Sequence, residues 1–232
     1  MARAAAISPA RAGLVSWVEA ETPASASASA LAPLKVSLLD AACALDMAKK
    51  PIPHPILATP RLRLRQFRTE DVEAMHKCFT NSEAMRFWNT PVHTKLIETE
   101  RAVQRFIDCT PSYYRFWAVA DAATDRCLGL VNYHDGHIRN KRADIGYIID
   151  PARLRQGIAT EAVTAMLEFC FNGLGLHRVQ AFIHPDNTAS RALVEKLGFR
   201  REGLLRHNLR VGEDWRDDML YALLATERPG SR

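Results

Sequence analysis

From Pro55 onward the apolar residues follow two spacings in turn, one of period two and one near 3.6, the mark of a mixed α/β domain. Leu62, Leu64 and Phe67 outline a first strand, with Arg61, Arg63 and Arg65 on its other face. Thr69-Glu70-Asp71 opens a helix that carries Val72, Met75 and Phe79 along one side. A second helical stretch, about residues 94–109, has Ile97, Val103, Phe106 and Ile107 as its stripe. Residues 114–120 and 127–133 read as strands joined by the polar turn Ala122-Ala123-Thr124-Asp125, which predicts an antiparallel hairpin. A third strand follows over residues 143–149. The remainder reads as a helix (158–172), a strand (177–183), a helix (188–197) and two closing strands near 199–206 and 214–223. No internal repeat is evident, so residues 56–226 are expected to form one domain, followed by a short tail, 227–232.

Residues 1–55 break this pattern. They are rich in Ala, Ser and Pro, as in Thr22-Pro23-Ala24-Ser25-Ala26-Ser27, and hold few large side chains. Such a stretch buries too little to offset its ordering entropy, and an extension without fixed structure is expected. Pro9 and Arg11 interrupt the only candidate secretory core, and Glu19 and Glu21 argue against a transit peptide. Met47-Ala48-Lys49-Lys50 directly precedes the domain and offers an alternative start of translation.

Composition narrows the class of protein. A chain of 232 residues, 47% hydrophobic, has ample material for a core, and no run approaches the roughly 18 apolar residues needed to span a bilayer. Five cysteines without a C-x-x-C pair argue against a disulfide framework and a zinc ribbon, and for a cytoplasmic location. The net charge of +5 attracts anionic partners, whether nucleic acid, ribosome or a phosphate-rich cofactor. Direct nucleic-acid recognition is not expected, because the basic residues are not interleaved with an aromatic platform. The cluster Arg61, Arg63, Arg65 and Arg68 reads as a solvated strand edge.

One turn carries chemistry. The strand Asp144-Ile145-Gly146-Tyr147-Ile148-Ile149 ends at Asp150-Pro151, and a helix starts just after Gly157. A helix start offers unpaired N–H donors and a positive dipole end, and Gly157 lets an anion approach without a Cβ in the way. Such a glycine also serves simply to turn a chain. No P-loop motif is present, and Gly173-Leu174-Gly175 lies after a helix and before a strand, the place of a helix C-cap.

The run Asp150-Pro151-Ala152-Arg153-Leu154-Arg155-Gln156-Gly157-Ile158-Ala159-Thr160-Glu161-Ala162 resembles the acetyl-CoA motif of the GNAT N-acetyltransferases. The segment from Asn187 and Ser190 to Leu197-Gly198-Phe199, with the ending Glu202-Gly203 and Asp214-Trp215-Arg216-Asp217, resembles the branch that acetylates ribosomal-protein amino termini beginning with alanine or serine. The resemblance covers about 170 residues. It implies an α+β GNAT fold: a mostly antiparallel central sheet, splayed at the cofactor cleft and flanked by helices. It implies acetyl-CoA as co-substrate, with no metal. The backbone of Ile148 and Ile149 would hold the pantetheine, amides of Arg155, Gln156, Gly157, Ile158, Ala159 and Thr160 the pyrophosphate, and Asn187 the pantetheine arm. Leu154 departs from the motif, which often has Arg or Gln there; Arg153 or Arg155 could restore the charge.

The implied reaction moves acetyl to a primary amine by direct attack in a ternary complex. The acceptor is expected to be a protein amino terminus, with ribosome association as one context, or alternatively a small amine; a non-catalytic acyl-CoA-binding protein is the reading from another class. An α-amine, with pKa about 7.7 to 8.0, asks far less of a base than a lysine near 10.4. Asp144 resembles the strand glutamate that serves as base in related enzymes; it could act directly, through water, or only as a partner for Arg142. The usual donor tyrosine is replaced by Val194, and Ser190 matches the serine of the ribosomal branch, while also suiting the first turn of a helix capped at Asn187. His184 and His207 are candidate relays. His134-Asp135-Gly136-His137 lacks a third ligand and reads as a turn. Of the aromatic residues Phe87, Trp88, Tyr113, Tyr114, Tyr133 and Trp215, Trp88 and Trp215 are the candidates for the acceptor pocket.

Overall fold

The computed structural model describes residues 6–7, 54–109, 114–137 and 139–228. The expectations for residues 1–55, including the alternative start at Met47, lie outside these apart from 6–7 and 54–55, as do those for Tyr113 and the end of the tail. The described strands are β1 (Ala6–Ile7), β2 (Leu57–Ala58), β3 (Leu62–Arg65), β4 (Arg115–Asp121), β5 (Cys127–His137), β6 (Arg142–Ile149), β7 (Arg178–Ile183), β8 (Arg200–Val211) and β9 (Asp214–Leu224). The α-helices are α1 (Val72–Phe79), α2 (Ser82–Met85), α3 (Leu96–Ile107), α4 (Ile158–Glu168) and α5 (Thr188–Lys196). One sheet runs in the order β2-β3-β4-β5-β6-β7-β9-β8, with β1 joined to β6. Every pairing is antiparallel except β6 with β7.

Two cores flank the sheet because strand side chains alternate in direction. Ala143, Ile145, Tyr147 and Ile149 of β6 pack beneath Ile158, Ala162, Val163 and Met166 of α4 and Leu193 and Val194 of α5. On the other face Leu130 and Ile148 meet Met75, Cys78 and Phe79 of α1 and Ala102, Val103 and Phe106 of α3. The helix expected over 158–172 is α-helical to Glu168, and its last turn, Phe169–Gly173, widens to a π-turn closed by Leu174 N–H donating to Phe169 O at 2.9 Å.

Arg65 corrects the reading of the first basic cluster. Arg61 and Arg63 are exposed, but Arg65 is only 4% exposed. Its guanidinium donates to both carboxylate oxygens of Asp71, at 2.8 and 2.9 Å, and to Asp125 at 3.0 Å. The short 3-10 turn Thr69–Asp71 folds Asp71 back over the strand end. A buried charge is tolerated when it is paired and hydrogen-bonded in this way.

Gly129 fixes the approach of β5 to β6. Its φ of 148° is open to glycine, and a Cβ there would lie 2.2 Å from the carbonyl oxygen of Ile148. The chain therefore needs a glycine against the strand that borders the site.

Candidate active site

The site lies where β6 and β7 part. These strands pair at Arg142 with Arg178, Ala143 with Val179 and Asp144 with Gln180, and no β6–β7 pair forms beyond Asp144. Past that point β6 stays bonded to β5, through Gly129 with Ile149, and β7 to β9. The wedge left between them is the splay expected for a cofactor arm. Here β1 enters it, with Ala6 opposite Ile148 and Ile7 opposite Tyr147. The backbone edge expected to hold pantetheine is thus engaged by the chain's own amino-terminal segment.

The turn after β6 has an anion-binding shape. Arg155 (φ 63°) and Gly157 (φ 76°) both adopt left-handed backbone and swing the chain into α4. The N-cap of α4 is Gly157, which has no side chain to bond the first-turn amides and so leaves them available to an acceptor. Ile158 is buried in the core and offers only its backbone, while Ala159 and Thr160 are half-buried. Arg61 braces this turn: its Nη1 donates to Gln156 O at 3.0 Å and its Nε to Glu161 at 2.7 Å. Its Nη2 lies 3.4 Å from where a Cβ on Gly157 would sit, which puts a cation over the helix start. This role was invisible in the sequence, since about a hundred residues separate the partners.

Asp144 and Ser190 reach the wedge from opposite faces of the sheet. Asp144, 6% exposed, shares its face with Ile148. Ser190 is fully buried on the other face, its backbone N–H donating to the Asn187 side chain at 3.1 Å, so Asn187 is the N-cap of α5. Burial pushes the pKa of the Tyr147 phenol well up, against a smaller lowering effect from the Ser190 side chain beside it. In the sequence, the alternation of Tyr147 with Ile145 and Ile149 reads as plain core. Tyr147 places a phenol beside the serine in a protein whose usual donor position is Val194, itself buried.

His134 also departs from expectation. It lies within β5, which runs to His137, rather than in a turn, because the ladder continues through a register shift after His134. It stands directly opposite Asp144. A donor atom from each of His134, Asp135 and Asp144 lies within 4.8 Å of the others, so the third group missing from the local motif comes from the neighbouring strand.

The two tryptophans expected at the acceptor pocket face different surroundings. Trp88 is 5% exposed and packs in the second core, its ring 6.4 Å from that of Phe79. Trp215 is 56% exposed at the β8–β9 hairpin, stacked on His207 with Arg210 over its ring. Arg216 donates to the carbonyl of Arg86 at 3.0 Å and ties this hairpin to the segment bearing Phe87 and Trp88. Phe87 stacks on His184 at 5.1 Å, and burial lowers the pKa of that imidazole. Asp218, which accepts from Asn208 at 2.9 Å, has its carboxyl pKa raised by burial.

Residues 61–200 match the acetyltransferase (GNAT) domain family. The chain belongs to the GNAT acetyltransferases. It is 32% identical over 171 residues to the uncharacterized N-acetyltransferase YoaA of Bacillus subtilis, an alignment that spans 73% of this chain and 97% of that protein. The spermidine N(1)-acetyltransferase of Escherichia coli strain K12 is 26% identical over 67% of this chain and 82% of its own length. A solved Vibrio cholerae structure, provisionally named a ribosomal-protein-serine acetyltransferase, superposes with a TM-score of 0.66 at 26% identity, covering 74% of this chain and 98% of that one. The protein is an N-acetyltransferase, from a family that takes its acetyl group from acetyl-CoA. No described helix is long and apolar enough to cross a membrane.

Proposed function

We propose that the protein transfers the acetyl group of acetyl-CoA to the α-amine of a protein amino terminus, in a ternary complex. The observation that carries this reading is the parting of β6 and β7 immediately after a buried carboxylate, Asp144, with the uncapped start of α4 at one end of the same strand. The α4 amides and the Arg61 guanidinium would hold the pyrophosphate, and the backbone of Ile148 and Ile149 the pantetheine once β1 has left that edge.

In the reaction the acceptor nitrogen attacks the thioester carbonyl carbon. The new C–N bond forms, the C–S bond breaks, and sulfur departs with the electron pair. Asp144 takes the proton from nitrogen, directly or through water. Ser190, backed by Tyr147 on the other face of the sheet, would return a proton to the thiolate. A covalent relay through cysteine has no support among the described residues, because burial raises the pKa of Cys78, Cys109, Cys127 and Cys170 and keeps them as thiols.

Two considerations favour an α-amine. Its pKa near 8 lets a single carboxylate suffice as base. The +5 charge of the chain repels a polycation over distance, and suits a phosphate-rich surface such as the ribosome. The alternative is a small polyamine, favoured by the similarity to the Escherichia coli spermidine enzyme. Thiol release from acetyl-CoA with a panel of peptides and amines separates them. Turnover confined to peptides beginning with Ala or Ser supports the proposal; turnover on spermidine alone supports the alternative. Tight CoA binding without turnover on any amine would mean a non-catalytic acyl-CoA-binding protein.

A further inference from the structure

Asp218 is a buried carboxylate that the proposed reaction does not use. It is 4% exposed, and its hydrogen bond among the described residues comes from a neutral group, the Asn208 amide, 2.9 Å from Oδ2. No described cation forms a salt bridge with it, and burial raises its pKa. A buried carboxylate held only by a neutral donor costs free energy, which a cation brought by a ligand offsets.

The sheet register puts Asp218 on the face that carries Asp144. Asp144 pairs with Gln180 and Gln180 with Ala222, and Ala222, Leu220 and Asp218 alternate along β9 to the same side. One residue past the last β7–β9 pair, Ile183 with Met219, His184 comes level with Asp218, and the two interact electrostatically. The edge strand β8 is bent at this carboxylate. Leu205 pairs with Asp218 and Leu209 with Arg216, so residues 206–208 of β8 stand against Asp217 alone. In this bulge His207 takes a left-handed φ of 50°, and its N–H donates to the Asp217 side chain at 2.8 Å. Bulges and strained backbone gather beside active sites, where they re-aim a side chain; here Asn208 is the one turned onto Asp218.

We propose that Asp218 determines acceptor specificity by receiving a second cationic group, a lysine or arginine side chain near the start of the acceptor peptide. Asp218 lies four residues along β7 from the level of Asp144, about 13 Å, and two strands across, about 10 Å. An extended peptide advances about 3.3 Å per residue, so with its amino nitrogen at Asp144 a long basic side chain at its second to fourth residue spans the gap. Asn208 holds Oδ2 and leaves Oδ1 to accept from the arriving cation. Asp218 takes no part in proton transfer; it selects which amino termini are held. This inference rests on the proposed transfer to a protein amino terminus.

The test measures kcat/KM of the full chain with paired peptides that begin with Ala or Ser and differ only in carrying lysine or norleucine at position 2, 3 or 4. The wild type should favour lysine by about 10- to 100-fold at one of these positions, the worth of one hydrogen bond between charged groups, and should do so through the peptide KM. Asp218→Asn keeps an oxygen for Asn208 and removes the charge, and should bring the lysine-to-norleucine ratio to about 1. Should that variant not fold, Asp218→Ser puts the same question with the same peptides. A wild type indifferent to lysine at all three positions would overturn the inference while leaving acetyl transfer intact. So would a variant that keeps the wild-type ratio, even with both rates lowered, since that marks a structural role only. A wild type that acetylates no peptide would sink both the proposed reaction and this inference.

Discussion

Replacing Gly157 by alanine separates the two roles of the turn before α4. Gly157 has φ 76°, and forcing an L-residue into left-handed backbone costs about 1–2 kcal/mol. Sterics add little, because the nearest atom to the new Cβ is Nη2 of Arg61, at an ordinary 3.4 Å. For a domain of this size each kcal/mol is worth about 2–4 °C in Tm, so a fall of roughly 2–8 °C is expected without cofactor. On the proposed reading the methyl group would also stand where the pyrophosphate approaches the amides. Losing one hydrogen bond to a charged group costs about 1.5–3 kcal/mol, a weakening of roughly 10- to 150-fold in the Kd for CoA. Thermal melts with and without CoA, together with calorimetric titration, give both quantities on one sample. If Tm falls as expected while CoA affinity stays within about twofold of wild type, the turn is a structural device only and the pyrophosphate binds elsewhere.

Other perturbations act on different parts of the molecule. Asp71→Ala leaves the buried Arg65 with the Asp125 carboxylate and the carbonyls of Gln66 and Asp125, and should cost about 3 kcal/mol, seen as a lower urea midpoint at unchanged m. Deleting residues 1–46 removes β1 from the edge of β6, so CoA should bind more tightly than to the full chain; equal affinity in a titration would mean that β1 and the pantetheine do not compete. His54 stacks on Trp117, and burial, aided by Arg115, lowers its pKa to about 4. The unfolded chain binds a proton at this group below about pH 6.5 and the folded chain only near 4, so stability should fall as pH drops through that window. His54→Phe should flatten this part of the stability curve in denaturant titrations; an unchanged slope would exclude His54 as its source.

The strands and helices were legible because their signal is local. Period-two and period-3.6 runs placed β4, β6, β7, α4 and α5 within a few residues, and the motif from Asp150 to Ala162 pointed to the family. What escaped depends on partners distant in sequence. Arg65 looked solvated by alternation alone, since its neutralising carboxylates stand on a separate turn and on the β4–β5 hairpin. His134 looked like a turn residue until the β5–β6 register set it against Asp144. Tyr147 reads as core from its neighbours, and only the packing of α5 brings Ser190 near it. Arg61 belongs to the site because the sheet and α4 fold it back over Gly157. Alternation predicts which face a residue takes, but not which charge waits there.

The most direct test of the account is to incubate the full chain with acetyl-CoA and a peptide that begins with serine and also contains lysine, then to locate the acetyl group by fragmentation mass spectrometry. The account predicts one acetyl group on the amino-terminal nitrogen, formed at a rate that Asp144→Asn sharply reduces. Acetylation of the lysine side chain instead, or an unmodified peptide alongside acetylated spermidine, would contradict it.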